Sequence, residues 1–303
     1  MTATPRVLVF GNACTDRVYH VEALPRPGET LVAARVTTDL GGKGLNQAIA
    51  ARRAGADVFF IAPVGRDIAG TEICDLLERE GLSAAGLVQQ DGPSDSSLVL
   101  VDASGENMIV SNTRLIAALK PDSALALIEE NPPDAVLLQG NASFETTAAI
   151  AGAARLTGAR VVLNAAPFDA RFADLANLMH AAILNVAEAC SWTSTSNARE
   201  AACQVGCQIA VVTCGADGCM LSVHGGPAQS IPAPQVMGVD SVGAGDVFTG
   251  VFLDEWLRSD DPVRAARLAV HAASDKVTRR GTILAFPTGA AIATMREKLG
   301  LAS

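Results

Sequence analysis

Short, continuous apolar runs alternate with helix-period segments along most of this chain. Residues 7–10 read as a strand ending at Gly11, and residues 58–62 as a second. The same pattern returns at 135–139, 160–164, 182–185 and 208–213. Between these runs, 45–53 and 71–79 carry helical spacing and stop at Gly55 and Gly81. A further helical pattern begins with Phe248, Val251, Phe252 and Trp256. Strands apolar on both faces, alternating with helices, predict an α/β fold with a central, mostly parallel sheet covered on each side. In such sheets ligands sit beyond the carboxyl ends of the strands.

Two segments break the rhythm. Residues 17–38 contain Pro25, Pro27 and Gly28, followed by a strand-like stretch at 30–36. Residues 97–110 read as two strands joined by Ala103-Ser104-Gly105-Glu106, a hairpin signal. Either these are ordinary surface loops, or they form a small β-sheet lid. Both adjoin motif-bearing segments, which favours the lid. No repeat, low-complexity tract or linker interrupts the chain, so 1–303 reads as a single domain with a lid at about 17–38 and 97–110.

The chain has 303 residues, 49% hydrophobic and 18% charged, enough to bury a full core. Its net charge of −9, with no run of Lys or Arg, argues against nucleic acid as a partner. An anionic substrate must then be met by local dipoles, a metal ion or a few basic groups. No apolar stretch approaches the roughly 20 residues of a membrane span. The start, Met-Thr-Ala-Thr-Pro-Arg, leads straight into the first strand, so a cytoplasmic location is expected. The seven cysteines are odd in number and scattered. Cys203-x3-Cys207 and Cys214-x4-Cys219 hint at metal, but there is no C-x-x-C pair, and buried thiols in a reducing compartment are the expectation.

The chemistry concentrates in two glycine clusters. Residues 240–250 read Asp-Ser-Val-Gly-Ala-Gly-Asp-Val-Phe-Thr-Gly. Gly243, Ala244 and Gly245 stand directly before Asp246 at a helix entrance, where backbone N–H groups of 242–245 and the helix dipole favour an anion. A carboxylate there is placed as a base beside a phosphoryl group, although a dipole-stabilised helix-end carboxylate gives the same pattern. The other cluster, Gly41-Gly42-Lys43-Gly44-Leu45-Asn46-Gln47, opens the helix at 45–53. It fits neither a Walker A loop nor G-x-G-x-x-G, which disfavours a dinucleotide enzyme. Alone it is equally a tight turn with a solvated lysine. Its N–H groups, cation and amide also suit a polyol or a phosphate.

Taken together, and roughly 200 residues apart, the clusters resemble the ribokinase (PfkB-type) family of carbohydrate kinases. The resemblance runs through the whole chain. It includes Gly11 and Asp16, the Gly-Gly-Lys-Gly-x-Asn block, and Asn185-Val-Ala-Glu188. It continues through Thr213-Cys-Gly215-Ala-Asp-Gly218, the Asp240–Asp246 block, and Val277-Thr-Arg-Arg-Gly281.

The resemblance implies a three-layer sandwich with a small β-sheet lid, and an ATP-dependent phosphotransferase acting on an alcohol group. Asp246 would be the general base, with Gly243, Ala244 and Gly245 in the anion hole. Asp16, Gly42, Lys43 and Asn46 match sugar-contacting positions. Asn185, Thr213, Gly215 and Gly218 match the nucleotide side, and Glu188 would help hold Mg²⁺ through water. Asp240, Val242, Arg280 and Gly281 match a monovalent-cation site, usually of K⁺. A homodimer through the lid is also implied.

Two positions depart from the family pattern: Cys14 replaces an Asn, and Asn141 replaces a Glu. Both changes remove or soften hydrogen bonds to a sugar, so the expected acceptor is a small sugar, ribose or a relative that departs from it. A nucleoside, fructose or a keto-deoxy sugar acid are the alternatives. The 4% aromatic content argues mildly against a nucleoside, and a sugar acid needs an extra cation such as Lys43, Arg17 or Arg114. From a different class, a catalytically idle sugar-binding protein would share the fold but would have no need to keep Asp246.

Overall fold

The computed structural model describes residues 4–103 and 107–301. β1 (Arg6–Phe10) leads into β2 (Cys14–His20) and β3 (Arg35–Gly41), then α1 (Lys43–Ala54). β4 (Asp57–Gly65), α2 (Ile68–Arg79) and β5 (Leu87–Gln90) follow, then the pair β6 (Ser96–Val101) and β7 (Asn107–Asn112). The short α3 (Arg114–Ala118) and α4 (Asp122–Glu130) precede β8 (Ala135–Gln139), α5 (Phe144–Thr157) and β9 (Arg160–Asn164). Next come β10 (Ala181–Asn185), α6 (Val186–Thr193), α7 (Ala198–Gln204) and β11 (Ile209–Thr213). After β12 (Cys219–Val223) and β13 (Gln229–Ile231), the chain finishes with α8 (Ala244–Ser259), α9 (Pro262–Val277) and α10 (Gly289–Lys298).

Nine strands form one sheet in the order β13-β12-β11-β10-β9-β8-β1-β4-β5. It is parallel from β11 to β5, with β12 and β13 antiparallel at one edge. Alternation along β1 shows why its strands read as unbroken apolar runs. Val7 and Val9 enter one core with Leu137, Val162 and Ile183, packed under α1, α8 and α9. Leu8 and Phe10 enter the opposite core with Leu138, Leu163 and Leu184, packed under α4, α5 and α7. From Val7 to Phe10 each side chain is buried whichever way it points.

β3-β2-β6-β7 form a separate four-stranded sheet. Its limits differ from the expectation: the strand placed at 30–36 lies at Arg35–Gly41, and Cys14–His20 is a strand that the sequence reading left out. The reason is exposure, because only the first residues of β2 are buried and no apolar alternation marks it. The hairpin turn at Ser104-Gly105-Glu106 lies outside the described residues.

Opposed residues in register share a face of a sheet. Asp16 stands opposite Asp39 and Ser97, whereas Tyr19, Val36, Leu98, Leu100, Met108 and Val110 share the other face. All seven cysteines are free thiols, but only Cys14, Cys207 and Cys219 are buried. The other four are partly exposed, which corrects the expectation of uniformly buried thiols. No helix among the described residues is long and apolar enough to cross a membrane.

Candidate active site

The carboxyl ends of β1, β8, β9, β10 and β11 converge with the N-termini of α1 and α8. Close backbone approach builds this corner. At Gly44 an added Cβ would stand 2.6 Å from Asn12 N, so α1 reaches the end of β1 only because that side chain is absent. Asn12 fixes the contact: its Oδ1 accepts from Gly44 N at 3.2 Å and its carbonyl accepts from Leu45 N at 3.0 Å.

Asp246 lies in the first turn of α8, 6% exposed, behind Gly243 in the left-handed region at φ 79°. Both its carboxylate oxygens are held by α1. Asn46 Nδ2 donates to Oδ2 at 2.9 Å, and Gln47 Nε2 donates to Oδ1 at 2.9 Å. Gln47 Nε2 also donates to Asn164 Oδ1 at 2.9 Å, and Asn164 Nδ2 donates to Ile183 O at 2.9 Å. Two glycine clusters separated by 200 positions are thus one constellation.

Of the N–H groups at 242–245, two are engaged. Val242 N donates to Asp240 Oδ1 at 2.9 Å, and Ala244 N to Ser241 O at 3.1 Å. The anion hole expected from four groups therefore reduces, in this conformation, to Gly243 N and Gly245 N.

Asp16 faces this corner from the small sheet. Burial raises its pKa, hydrogen bonds from Ser97 and Cys14 oppose the rise, and the charges of Asp39 and Asp246 add to it. Cys14, the first departure, is buried, and its thiol donates to Asp16 Oδ1 at 3.5 Å. Burial pushes that thiol far up, so it acts as a donor. At the second departure, Asn141 Oδ1 is buried without a partner among the described residues, as are both side-chain polar atoms of Gln139 and Asn46 Oδ1. Arg17 shares the opposite face of the sheet from Asp16, and Arg114 Nη2 donates to Asp91 O at 2.6 Å. Of the three cations considered for a sugar acid, Lys43 alone remains at the corner.

Gly42, at φ 102°, caps α1, and Lys43 lies close enough to Glu188 to lower its pKa against the larger rise caused by burial. Asn185 and Glu188 form a capping box on α6: Asn185 Oδ1 accepts from Glu188 N at 2.8 Å, and Glu188 Oε2 accepts from Asn185 N at 2.8 Å. Thr213 ends β11, with Oγ1 donating to Leu184 O at 3.2 Å. Gly215 and Gly218, at φ 59° and 91°, make the turn into β12.

Asp240 and Gly281 meet, with Gly281 N donating to Asp240 Oδ2 at 3.0 Å, while Arg280 stays exposed outside the cluster. A residue absent from the sequence expectation enters instead. Lys276 is fully buried and its Nζ donates to Asp240 O at 2.8 Å. Burial lowers its pKa and the Asp240 charge opposes that shift.

The model of the pfkB family carbohydrate kinases matches residues 4–289. The chain belongs to the pfkB family of carbohydrate kinases. It is therefore a phosphotransferase with an alcohol group as acceptor. It is 30% identical to a ribokinase of Haemophilus influenzae over 294 residues, covering 92% of this chain and 94% of that one. It is 31% identical to a ribokinase of Bacillus subtilis over 285 residues, covering 93% and 96%. The fold superposes on a ribokinase of Arabidopsis thaliana complexed with ribose and ATP. That TM-score is 0.86 at 24% identity, covering 97% and 99% of the chains.

Asn12, Gln47, Asn164 and Lys276 were missed by sequence reasoning. Gln47 stood inside the quoted glycine block. The others gave no local signal, since a buried amide or lysine is recognised by what packs on it.

Proposed function

We propose that this kinase transfers the γ-phosphate of ATP to a hydroxyl of ribose or a closely related small sugar. The observation that carries this reading is the double amide grip on Asp246, because an idle binding protein has no use for a base held at both oxygens. Asp246 accepts the hydroxyl proton as the sugar oxygen attacks the γ-phosphorus and ADP departs. Each of its oxygens retains lone-pair capacity for that proton. The Gly243 and Gly245 N–H groups, at the positive end of α8, face the developing phosphoryl charge, with Ala244 completing the turn.

Asp16, Gly42, Lys43 and Asn46 are the proposed sugar contacts, joined by Cys14 and Asn141. The unpartnered oxygens of Asn46 and Asn141 and the Gln139 amide support a polyol acceptor, since buried polar groups need a counterpart. With a thiol rather than an amide at position 14 donating to Asp16, at least one contact offered to the sugar departs from the family pattern.

Asn185, Thr213, Gly215 and Gly218 take the nucleotide side. Glu188 fits an Mg²⁺ ion bound through water: its Oε2 caps α6 while Oε1 makes no hydrogen bond among the described residues, and Mg²⁺ usually keeps several waters beside one or two carboxylates. The ion would neutralise phosphate charge.

We read 1–303 as a single kinase domain whose small sheet is a lid that excludes water during transfer. A homodimer forms through the outer face of that lid. The free thiols suit a cytoplasmic setting.

The test is sugar-stimulated ADP release with Mg²⁺ across pentoses, deoxypentoses, fructose, nucleosides and sugar acids. Asp246→Asn, which keeps the shape of the side chain, should lower turnover by about 10²–10⁴-fold. An unchanged rate in that variant overturns the assignment of the base. No stimulation by any sugar favours the binding protein.

A further inference from the structure

Three stretches of chain meet at Asp240: the loop that enters α8, the last turn of α9, and the loop after α9. Every oxygen of this residue is in use. Oδ1 accepts from Val242 N, Oδ2 from Gly281 N, and the carbonyl from Lys276 Nζ, which also lies 3.7 Å from Oδ1. Lys276 has 0% side-chain exposure. A buried ammonium is costly unless it is paired, so its place in the fold depends on these oxygens. Its neighbours make no competing claim on Asp240: Asp275 is ion-paired with Arg279, and Arg280 is exposed. The position at the end of α9 also suits a cation, because the carbonyl end of a helix is negative.

Asp240, the one carboxylate among the residues expected to hold a monovalent ion, is therefore already holding a monovalent cation. A free K⁺ ion would have to displace Nζ from the Asp240 carbonyl, or sit against a like charge. The residues present do not fit an added ion.

We infer that Lys276 is a tethered replacement for the exchangeable monovalent cation, and that this kinase works without K⁺. Through Asp240 and Val242 the ammonium braces the chain immediately before Gly243-Ala244-Gly245. It is a positioning residue for the anion hole, and it does not touch the reacting atoms. The inference rests on the kinase reading only for its activity measurement. The binding measurement needs neither sugar nor turnover.

The experiment compares about 0.1 M KCl with choline chloride at matched screening, on the whole protein. In wild type, Tm should be the same in both salts, and turnover should differ by less than about twofold. Lys276→Ala and the better-packed Lys276→Met open the seat. Each should gain a K⁺-specific, saturable rise in Tm, because a ligand that binds only the native state stabilises it. In choline chloride their turnover should fall by about tenfold or more, with partial recovery in K⁺ and little change in sugar KM. A saturable K⁺-specific rise in wild-type Tm overturns the inference, whatever the activity assay gives. So does a folded variant that responds no differently to K⁺ than wild type. If both variants fail to fold, the wild-type comparison still decides.

Discussion

Gln47 divides one amide nitrogen between Asp246 Oδ1 and Asn164 Oδ1, with no exposure to solvent. Its removal should have two separable effects. Gln47→Leu keeps most of the volume but strips Asn164 Oδ1 of its donor, a loss of about 1–3 kcal/mol that a thermal or chemical melt would measure. It also frees one edge of the Asp246 carboxylate. Turnover should fall by about tenfold through misorientation of the base, with sugar KM nearly unchanged. Unaltered turnover in a destabilised variant would make Gln47 purely structural. The neighbour Asn46 was legible from the sequence and Gln47 was not, for a geometric reason. Consecutive helix residues do not face each other, and nothing in the local pattern brings both onto one carboxylate. The close side-by-side packing of α1 on α8, with Gly250 against Ala50 and Ala51, allows it.

Between the two helices the decisive feature is a missing side chain. An added Cβ at Gly250 would stand 2.6 Å from Ala50 Cβ and 2.6 Å from Ala51 N, so α8 and α1 touch at backbone distance. Gly250→Ala should force them apart, lower stability by about 1–3 kcal/mol and reduce turnover, since the same contact presses Asn46 and Gln47 onto Asp246. Gly152, inside α5, is the control: nothing lies within 4 Å of its added Cβ, and Gly152→Ala should stabilise by roughly 0.5–1 kcal/mol with activity unchanged. Calorimetry beside a rate assay reads both. At this scale legibility followed burial. β8 and β9 match their expected limits at both ends, because strands buried on both faces leave unbroken apolar runs. β2 left no such trace, because its sheet is open.

The small sheet gives the molecule two unlike faces. One carries Asp16, Asp39 and Ser97, and the other exposes Val36 (49%), Leu98 (40%), Met108 (46%) and Val110 (62%). Four exposed apolar side chains on one flat face are what a second copy would cover in the proposed dimer. The double variant Leu98→Glu with Val110→Glu should be monomeric by light scattering while wild type is dimeric. A monomeric wild type at high protein concentration counts against that assembly. The overall architecture and the pairing of the two glycine clusters were legible, because both are written in local motifs. The Lys276 seat was not, since it arises only when the end of α9 and the loop after it close on Asp240, which stands well before them in the chain. The same long reach sets a schedule. Asn46 and Gln47 leave the ribosome about 200 residues before Asp246, a delay of roughly 10–40 s at ordinary rates of synthesis. Until then the nascent chain has its grip but nothing to hold. A kinase arranged this way cannot consume ATP as a fragment, and a truncated product lacking α8 should be catalytically silent.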